Sequence, residues 1–266
     1  MTNVKIGIQT CSLRQPLKQA IETAARLGAE GIEVDARTEL LPAQMSQTAI
    51  RQFRKLLGDL NLRVSAVSFI TRRGYDVPDD LERRVLATQA AMKMAQAIGA
   101  GVVINRIGHA ASNSIAGASF ASGQRSRLID ALTALGAYGD RVGARLAAQT
   151  GSESGEHLAE LLADVPSQTV GVDLHPSGLI FNGHDPQAAV AALGTRIIHV
   201  HACDAVRDLS RGQAFAVELG RGSADLPGLL GRLTEFDYGG WVTIEQRDST
   251  DPISEIANAV AYLQSL

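Results

Sequence analysis

Apolar and polar positions along the chain repeat one pattern: an amphipathic helical stretch, a break containing glycine, and a short apolar run. The pattern occurs at residues 24–34, 94–105, 138–149, 191–200 and 234–245. Glycine suits the break because the residue after a helix commonly adopts a left-handed conformation, which glycine reaches without a Cβ clash. With three further apolar runs, Lys5–Thr10, Arg63–Phe69 and Val170–His175, the pattern predicts about eight strands.

The helical stretches between these strands predict how the sheet is connected. Parallel strands need long crossover connections, and helices usually supply them. About eight such units in 266 residues are typical of an α/β fold of the (β/α)8 TIM barrel type. No linker divides the chain, so we expect one domain over residues 1–266. A doubly wound open sheet is the alternative, but no G-x-G-x-x-G follows the first strand, which disfavours a dinucleotide-binding version.

The longest segment without strong periodicity is residues 106–123, "RIGHAASNSIAGASFASG". Long loops within compact domains are usually functional or mobile. On a barrel, this loop would lie over the carboxyl ends of the strands, where active sites form. An active-site flap and a plain insertion both remain open.

Composition limits the choice of partners and compartment. The formal net charge is -3, no long run of Lys or Arg occurs, and aromatic residues make up 4% of the chain, so a nucleic-acid partner is not expected. Cys11 and Cys203 form no C-x-x-C pair, which suits a reducing cytoplasm. We find no signal peptide and no apolar run of about 18 residues. We therefore expect a cytoplasmic protein without a membrane partner, with a homo-oligomer still possible.

Four consecutive predicted strands end in polar side chains: Gln149, His175, His201 and Glu245. Side chains alternate between the two faces of a strand, so all four would point into the barrel, with Asp173 and His199 one pleat deeper. Imidazole nitrogens, carboxylate oxygens and amide oxygens all bind divalent cations. Each residue alone is commonly a core histidine or a rim acid, but four coincident strand ends indicate a functional cluster.

Several segments resemble the xylose-isomerase-like sugar isomerase and epimerase barrels. They are "KIGIQTCSL", "GAEGIEVDAR", "AIGAGVVIN", "HVHACDA", "ELGRGSADLPGLL" and "GGWVTIE", and together they span nearly the whole chain. The segments "HVHACDA" and "GWVTIE" are the more specific ones. The resemblance implies an isomerase or epimerase of carbohydrate metabolism, with a divalent metal and a small sugar or other polyhydroxylated carbonyl compound as substrate.

In that family, the metal lies on Glu, Asp, His and Glu from the ends of strands five to eight. The resemblance therefore implies Gln149, His175, His201 and Glu245 as metal ligands here. Two of these positions depart from the family, since Gln149 replaces a Glu and His175 replaces the Asp. One carboxylate with two imidazoles favours Zn, Mn, Fe or Ni over Mg.

The replacement at Gln149 also changes the expected reaction. Family epimerisation uses one carboxylate on each face of the substrate carbon, and an amide cannot exchange a proton. Glu245 then remains as the catalytic group, which favours a one-base isomerisation, a dehydration or a β-elimination. A barrel that lost its chemistry and binds a sugar or a protein partner is the alternative function. A DNA-repair type of nuclease is disfavoured by the negative net charge.

Four residues are candidates for substrate binding: Arg207, Glu33, Asp204 and His109. Arg207 lies where epimerases of the family place an arginine near the substrate, and Glu33 ends the second strand. Asp204 could bind a substrate hydroxyl, pair with Arg207 or cap a helix. His109 could reach the mouth from the long loop or stay on the surface, and Arg247 could face the pocket or form a salt bridge.

Overall fold

The computed structural model describes residues 4–109, 123–166, 169–208 and 213–266. Its strands are β1 Lys5–Gln9, β2 Gly31–Asp35, β3 Arg63–Ser68, β4 Val102–Asn105, β5 Arg145–Gln149, β6 Gly171–Leu174, β7 Ile197–Ala202, β8 Asp204–Asp208, β9 Gln213–Val217 and β10 Trp241–Ile244. Its α-helices are α1 Leu17–Arg26, α2 Gln47–Asp59, α3 Leu81–Ile98, α4 Gln124–Val142, α5 Gly155–Ala163, α6 Pro176–Phe181, α7 Pro186–Leu193, α8 Leu226–Thr234 and α9 Pro252–Gln264.

Eight of these strands close into a parallel barrel in the order β1-β10-β7-β6-β5-β4-β3-β2. Helices connect successive barrel strands, which confirms the predicted (β/α)8 fold. The long loop after β4 is described only at its ends, so the choice between an active-site flap and a plain insertion at 106–123 lies largely outside the described residues. None of the helices in the described part of the chain is long and apolar enough to cross a membrane.

The barrel interior carries a polar layer rather than apolar side chains alone. Strand pairing places Gln149 beside Asp173, Asp173 beside His199, and His201 beside Thr243. The alternate residues, such as Val172 and Leu174, are fully buried in the apolar core. This is the alternation expected from the sequence, and it lines the inside of four neighbouring strands with hydrogen-bonding groups.

Gly7 in β1 leaves room for this polar layer. A Cβ atom at that position would lie 2.8 Å from Thr243 Oγ1 and 3.0 Å from Ser65 Oγ. Thr243 donates to Ser65 Oγ across 3.1 Å, so a side chain at residue 7 would force these hydroxyls apart. Glycine therefore permits a hydrogen-bonded interior at the β1 side of the barrel.

A small antiparallel hairpin, β8–β9, follows β7 and was not expected from the sequence. Its register pairs Asp204 with Val217 and Arg207 with Ala214. Asp204 anchors it, because the buried carboxylate accepts backbone N–H bonds from Ala205, Gly220, Gly222 and Ala224 at 2.8–3.2 Å. These four bonds make Asp204 a support for the loop that leads into α8.

Candidate active site

His175 and Glu245 form a buried pair where β6 and β10 end. His175 Nε2 lies 2.6 Å from Glu245 Oε2, with 4% and 3% of their side chains exposed. The Gly178 N–H donates to His175 Nδ1 across 2.9 Å. An imidazole nitrogen that accepts an N–H carries no proton, so Nε2 holds the ring proton of the neutral imidazole and donates it to Glu245.

Gly178 has no side chain that could block this arrangement. A Cβ atom there would lie 2.9 Å from His175 Nδ1. The backbone N–H of His175 donates to Thr150 Oγ1 across 2.8 Å. The first turn of α6 and the residue after β5 therefore fix the orientation of the imidazole.

His201 lies between two buried carboxylates. Its Nδ1 is 2.9 Å from Asp173 Oδ2, and its Nε2 is 2.9 Å from Glu33 Oε2 and 4.0 Å from Glu245 Oε2. Yet neither His201 Nε2 nor Glu33 Oε2 has a hydrogen-bond partner in the described part of the chain. The two atoms are close but not aligned for a hydrogen bond. They attract as ions while His201 is protonated, and loss of that proton leaves a lone pair on each atom for a cation.

Asp173 lies deeper in the barrel and contacts both His199 and His201. Its Oδ1 lies 2.8 Å from His199 Nδ1, its Oδ2 accepts from Gln149 Nε2 across 3.1 Å, and His201 Nδ1 lies within 3.0 Å of both oxygens. His199 Nε2 in turn lies 2.8 Å from Thr243 Oγ1. A carboxylate on the far nitrogen of a ligand histidine fixes its orientation and raises its basicity. Asp173 therefore positions His201.

Gln149 has both ends of its amide occupied. The nitrogen donates to Asp173, and the oxygen accepts from Arg106 Nε across 3.1 Å. The oxygen that the resemblance implied as a metal ligand thus faces a guanidinium here.

The carboxylates of the site ionise easily because histidines surround them. Burial alone would raise the pKa of Asp173, but His201 and His199 lower it far below its usual range. In the same way, His201 outweighs burial and lowers the pKa of Glu33, and His175 lowers that of Glu245. Burial would lower the pKa of His201, but Asp173 and Glu33 raise it well above 6.5.

These contacts change the charge expected for the site. The sequence suggested a single carboxylate among the ligands, with Glu33 as a candidate for substrate binding and Asp173 one pleat deeper. Both lie against His201, so the described site holds three carboxylates, including Glu245. The number equals that implied for the family, although one of the acids, Glu33, comes from β2 rather than from the fifth strand.

The pKa shifts predict how the stability of the metal-free protein depends on pH. The lowered pKa values of the three carboxylates contribute stability above their ordinary values of 3.8–4.5, and this is lost as the pH falls through the folded values. The raised pKa of His201 contributes stability that is complete below 6.5 and is lost as the pH rises toward the folded value. We expect the free energy of unfolding, measured in urea, to peak between these limits. A profile that rises steadily from pH 6.5 to 9 would contradict this assignment.

Candidate ligand atoms for a metal exist in two buried groups. One comprises Glu33, His199 and His201, and the other His175, Cys203 and Glu245, with ligand atoms within 4.8 Å of one another in each group. Imidazole nitrogens and carboxylate oxygens suit divalent transition metals. The unpartnered atoms of His201 and Glu33 therefore fit a bound cation.

A cavity of about 320 Å³ opens above the network, and residues from several strand ends line it. Arg247 lines it and donates from Nε to Glu245 Oε1, so it both faces the pocket and forms an ion pair. His109 also lines it, with its side chain 71% exposed and Nδ1 3.6 Å from Glu153 Oε1. The guanidinium of Arg207 lies against Gly183 instead.

Sequence reasoning missed Arg106 and Arg72, which both line this cavity. Arg106 directly follows the last residue of β4. The rule that singled out Gln149, His175 and Glu245 would have found it, since it too is a polar residue at a strand end. Arg72 lies in an irregular segment after β3, and no sequence signal marks it.

A family model described as "Xylose isomerase-like TIM barrel" matches residues 21–266. No curated protein sequence matches the chain.

Three solved structures illustrate the similarity. A xylose isomerase domain protein from Planctomyces limnophilus superposes with a TM-score of 0.84 at 21% identity, over 98% of this chain and 96% of that one. A D-allulose 3-epimerase from Methylomonas sp. in complex with D-allulose gives 0.75 at 17%, over 100% and 98%. A xylose isomerase-like TIM barrel protein from Mycobacterium smegmatis in complex with magnesium gives 0.75 at 18%, over 93% and 87%. At such identities, the likeness shows the fold alone.

Proposed function

The chain belongs to the xylose isomerase-like TIM barrel family, and from this premise we propose that it is a divalent-metal-dependent enzyme. Its proposed substrate is a sugar or another polyhydroxylated carbonyl compound, the class to which the D-allulose of the similar epimerase belongs. The observation that carries the proposal is the buried contact between His201 Nε2 and Glu33 Oε2, which approach within 2.9 Å without a hydrogen bond.

We propose His201, Glu33 and Glu245 as the residues that hold the metal. His175 would join them only after its proton moves from Nε2 to Nδ1, which would break the hydrogen bond from the Gly178 N–H. Gln149, which the family resemblance implied as a ligand, can join them only when its amide oxygen no longer accepts from Arg106. Imidazoles suit Zn, Fe and Ni, and added carboxylates suit Mn, so these metals remain preferred over Mg. Arg207, which lies against Gly183, and Asp204, whose carboxylate is occupied by four backbone N–H groups, are less favoured as substrate ligands than the sequence suggested. His109 lines the cavity and remains a candidate.

The metal, when bound, would polarise a substrate carbonyl or hydroxyl. Glu245 is the group that moves the proton, because its carboxylate is ionised and lies at the mouth. His175 and Arg247 each hold one of its oxygens and so fix its orientation. Gln149 offers no second base on the opposite side, which favours one-base isomerisation, dehydration or β-elimination over two-base epimerisation.

Hydrogen exchange in D2O tests this function. We expect protein loaded with Mn²⁺ or Zn²⁺ to exchange a C–H beside the carbonyl, or to release a dehydrated product, with at least one member of a panel of ketoses, aldoses and their acids, followed by ¹H NMR. Glu245→Gln should slow the reaction by about 10²–10⁴-fold, and Glu22→Gln, an exposed acid on α1, should not. Full metal occupancy without exchange or product on any compound would contradict the function and favour a sugar-binding barrel without chemistry.

A further inference from the structure

The mouth of the barrel is divided into halves of different charge. The cavity of about 320 Å³ is lined by Arg72, Arg106, Arg247, His109 and His175, and no Asp or Glu is among the described residues that line it. The charged residues that line a neighbouring cavity on the β1–β2 side are four acids and two arginines, Glu33, Asp35, Glu245, Asp248, Arg14 and Arg247. Gln149 and Arg247 line both cavities, so the two halves meet above the histidine and carboxylate network.

We propose that the basic half, formed by Arg72, Arg106 and Arg247, binds an anionic group of the substrate, either a carboxylate or a phosphate. The inference rests on the proposed function, because it places the reacting carbon of the same substrate over Glu245. A guanidinium binds either anion through paired N–H donors, which makes arginine the usual residue for both.

The hydrogen bonds of these arginines leave donors for such an anion. Arg106 donates from Nε to Gln149, and Arg247 donates from Nε to Glu245. Their terminal amino groups donate to no residue that the structure describes, and Arg72 has no hydrogen bond or ion pair within that part of the chain. Arg106 and Arg247 are therefore each held through Nε, and their terminal N–H groups are free to bind an anion.

Glu245 balances the charge of Arg247, whereas Arg72 and Arg106 have no carboxylate partner in the described part of the chain. Two like charges beside one cavity repel each other, and a bound anion relieves that repulsion. The segment 110–122, outside the described residues, contains no Asp or Glu, so it cannot supply a compensating carboxylate.

The arrangement also orients a substrate. His175 lines the basic cavity, while its Nε2 contacts Glu245, which lines the acidic one. An anionic end held by the arginines would therefore direct the hydroxylated part of the molecule toward Glu33 and Glu245. A neutral sugar offers these guanidinium groups only hydroxyl oxygens, which they bind less strongly than a charged oxygen.

Calorimetric titration of the metal-free full chain at low salt tests the inference. The probes are inorganic phosphate, D-gluconate and, as the neutral counterpart of gluconate, D-sorbitol. We expect phosphate or gluconate to bind at least about tenfold more tightly than sorbitol, as charge-assisted hydrogen bonds allow, and this advantage should shrink as salt is added. Preference for phosphate indicates a phosphorylated substrate, and preference for gluconate indicates a carboxylated one.

Paired variants separate a local site from the overall charge. Arg72→Gln with Arg106→Gln should weaken anion binding about tenfold or more. The control, Arg54→Gln with Arg83→Gln, removes the same charge from exposed positions on α2 and α3 and should change it less than about twofold. Equal binding of all three probes, undetectable binding, or equal effects of the two double variants would overturn the inference. If the anion site fails these tests but the chain binds a divalent metal in a separate titration, the proposed function still stands. If the anions bind at the arginines but the chain takes up no divalent metal, the anion site stands and the proposed function fails.

Discussion

Replacing Asp173 by Asn is expected to lower the free energy of unfolding by about 3–5 kcal/mol, because it removes one partner of a buried ionic network. Asp173 is fully buried and accepts from His199, His201 and Gln149. The asparagine has nearly the same shape, so the loss reports the charge rather than a cavity. The two imidazoles would compete for one amide oxygen, and the raised pKa of His201 would lose its main cause.

Urea unfolding at pH 6 measures this effect. The control is Asp59→Asn, which removes an exposed carboxylate that pairs with Lys55 on α2, and it should cost less than about 1 kcal/mol. A loss below about 1 kcal/mol for Asp173→Asn would mean that the histidines are not held by this charge. The network would then not be the stable platform that the site requires.

Replacing His201 by Ala is expected to weaken binding of Mn²⁺ or Zn²⁺ at least about 100-fold, because it removes a central nitrogen ligand. His201 Nε2 lies 2.9 Å from Glu33 Oε2, and neither atom has a hydrogen-bond partner in the described part of the chain. Since the substitution also strands two buried acids, circular dichroism must first show that the variant is folded. Glu33→Gln provides a second test and keeps its hydrogen-bonding capacity toward Gln9.

The matched control is His157→Ala, a half-buried histidine on α5. It removes an imidazole of the same kind from a position that lines neither cavity, so it should leave metal affinity within about twofold of wild type. Unchanged affinity in both His201→Ala and Glu33→Gln would place any bound metal elsewhere in the molecule.

The barrel was predictable from sequence because its signal is repeated. Helix, glycine break and apolar run recur along the chain, and the structure places strands at the predicted runs, for example β3 at Arg63–Ser68 and β10 at Trp241–Ile244. The β8–β9 hairpin gave no such signal. It lacks an alternating apolar face against the core, and its position depends on the backbone bonds that converge on Asp204.

The inward-facing residues were also predictable, because strand alternation determines which side chains share a face. His199, His201 and Asp173 meet inside the barrel as expected. Their partners across the barrel were not predictable. Glu33 reaches His201 from β2, which no local pattern connects to β7, and Gln149 turns toward Arg106 because of a contact between two strand ends. Such pairings depend on barrel closure and side-chain rotamers rather than on spacing.

Metal stoichiometry of the wild-type chain shows whether the buried histidines and carboxylates hold a divalent ion. The protein is stripped with chelator, titrated with Mn²⁺ and Zn²⁺ in a calorimeter, and analysed for metal content after dialysis. We predict about one ion per chain, bound with release of protons because His201 must lose its proton to coordinate. A chain that takes up no divalent ion under these conditions would contradict the proposed metal site.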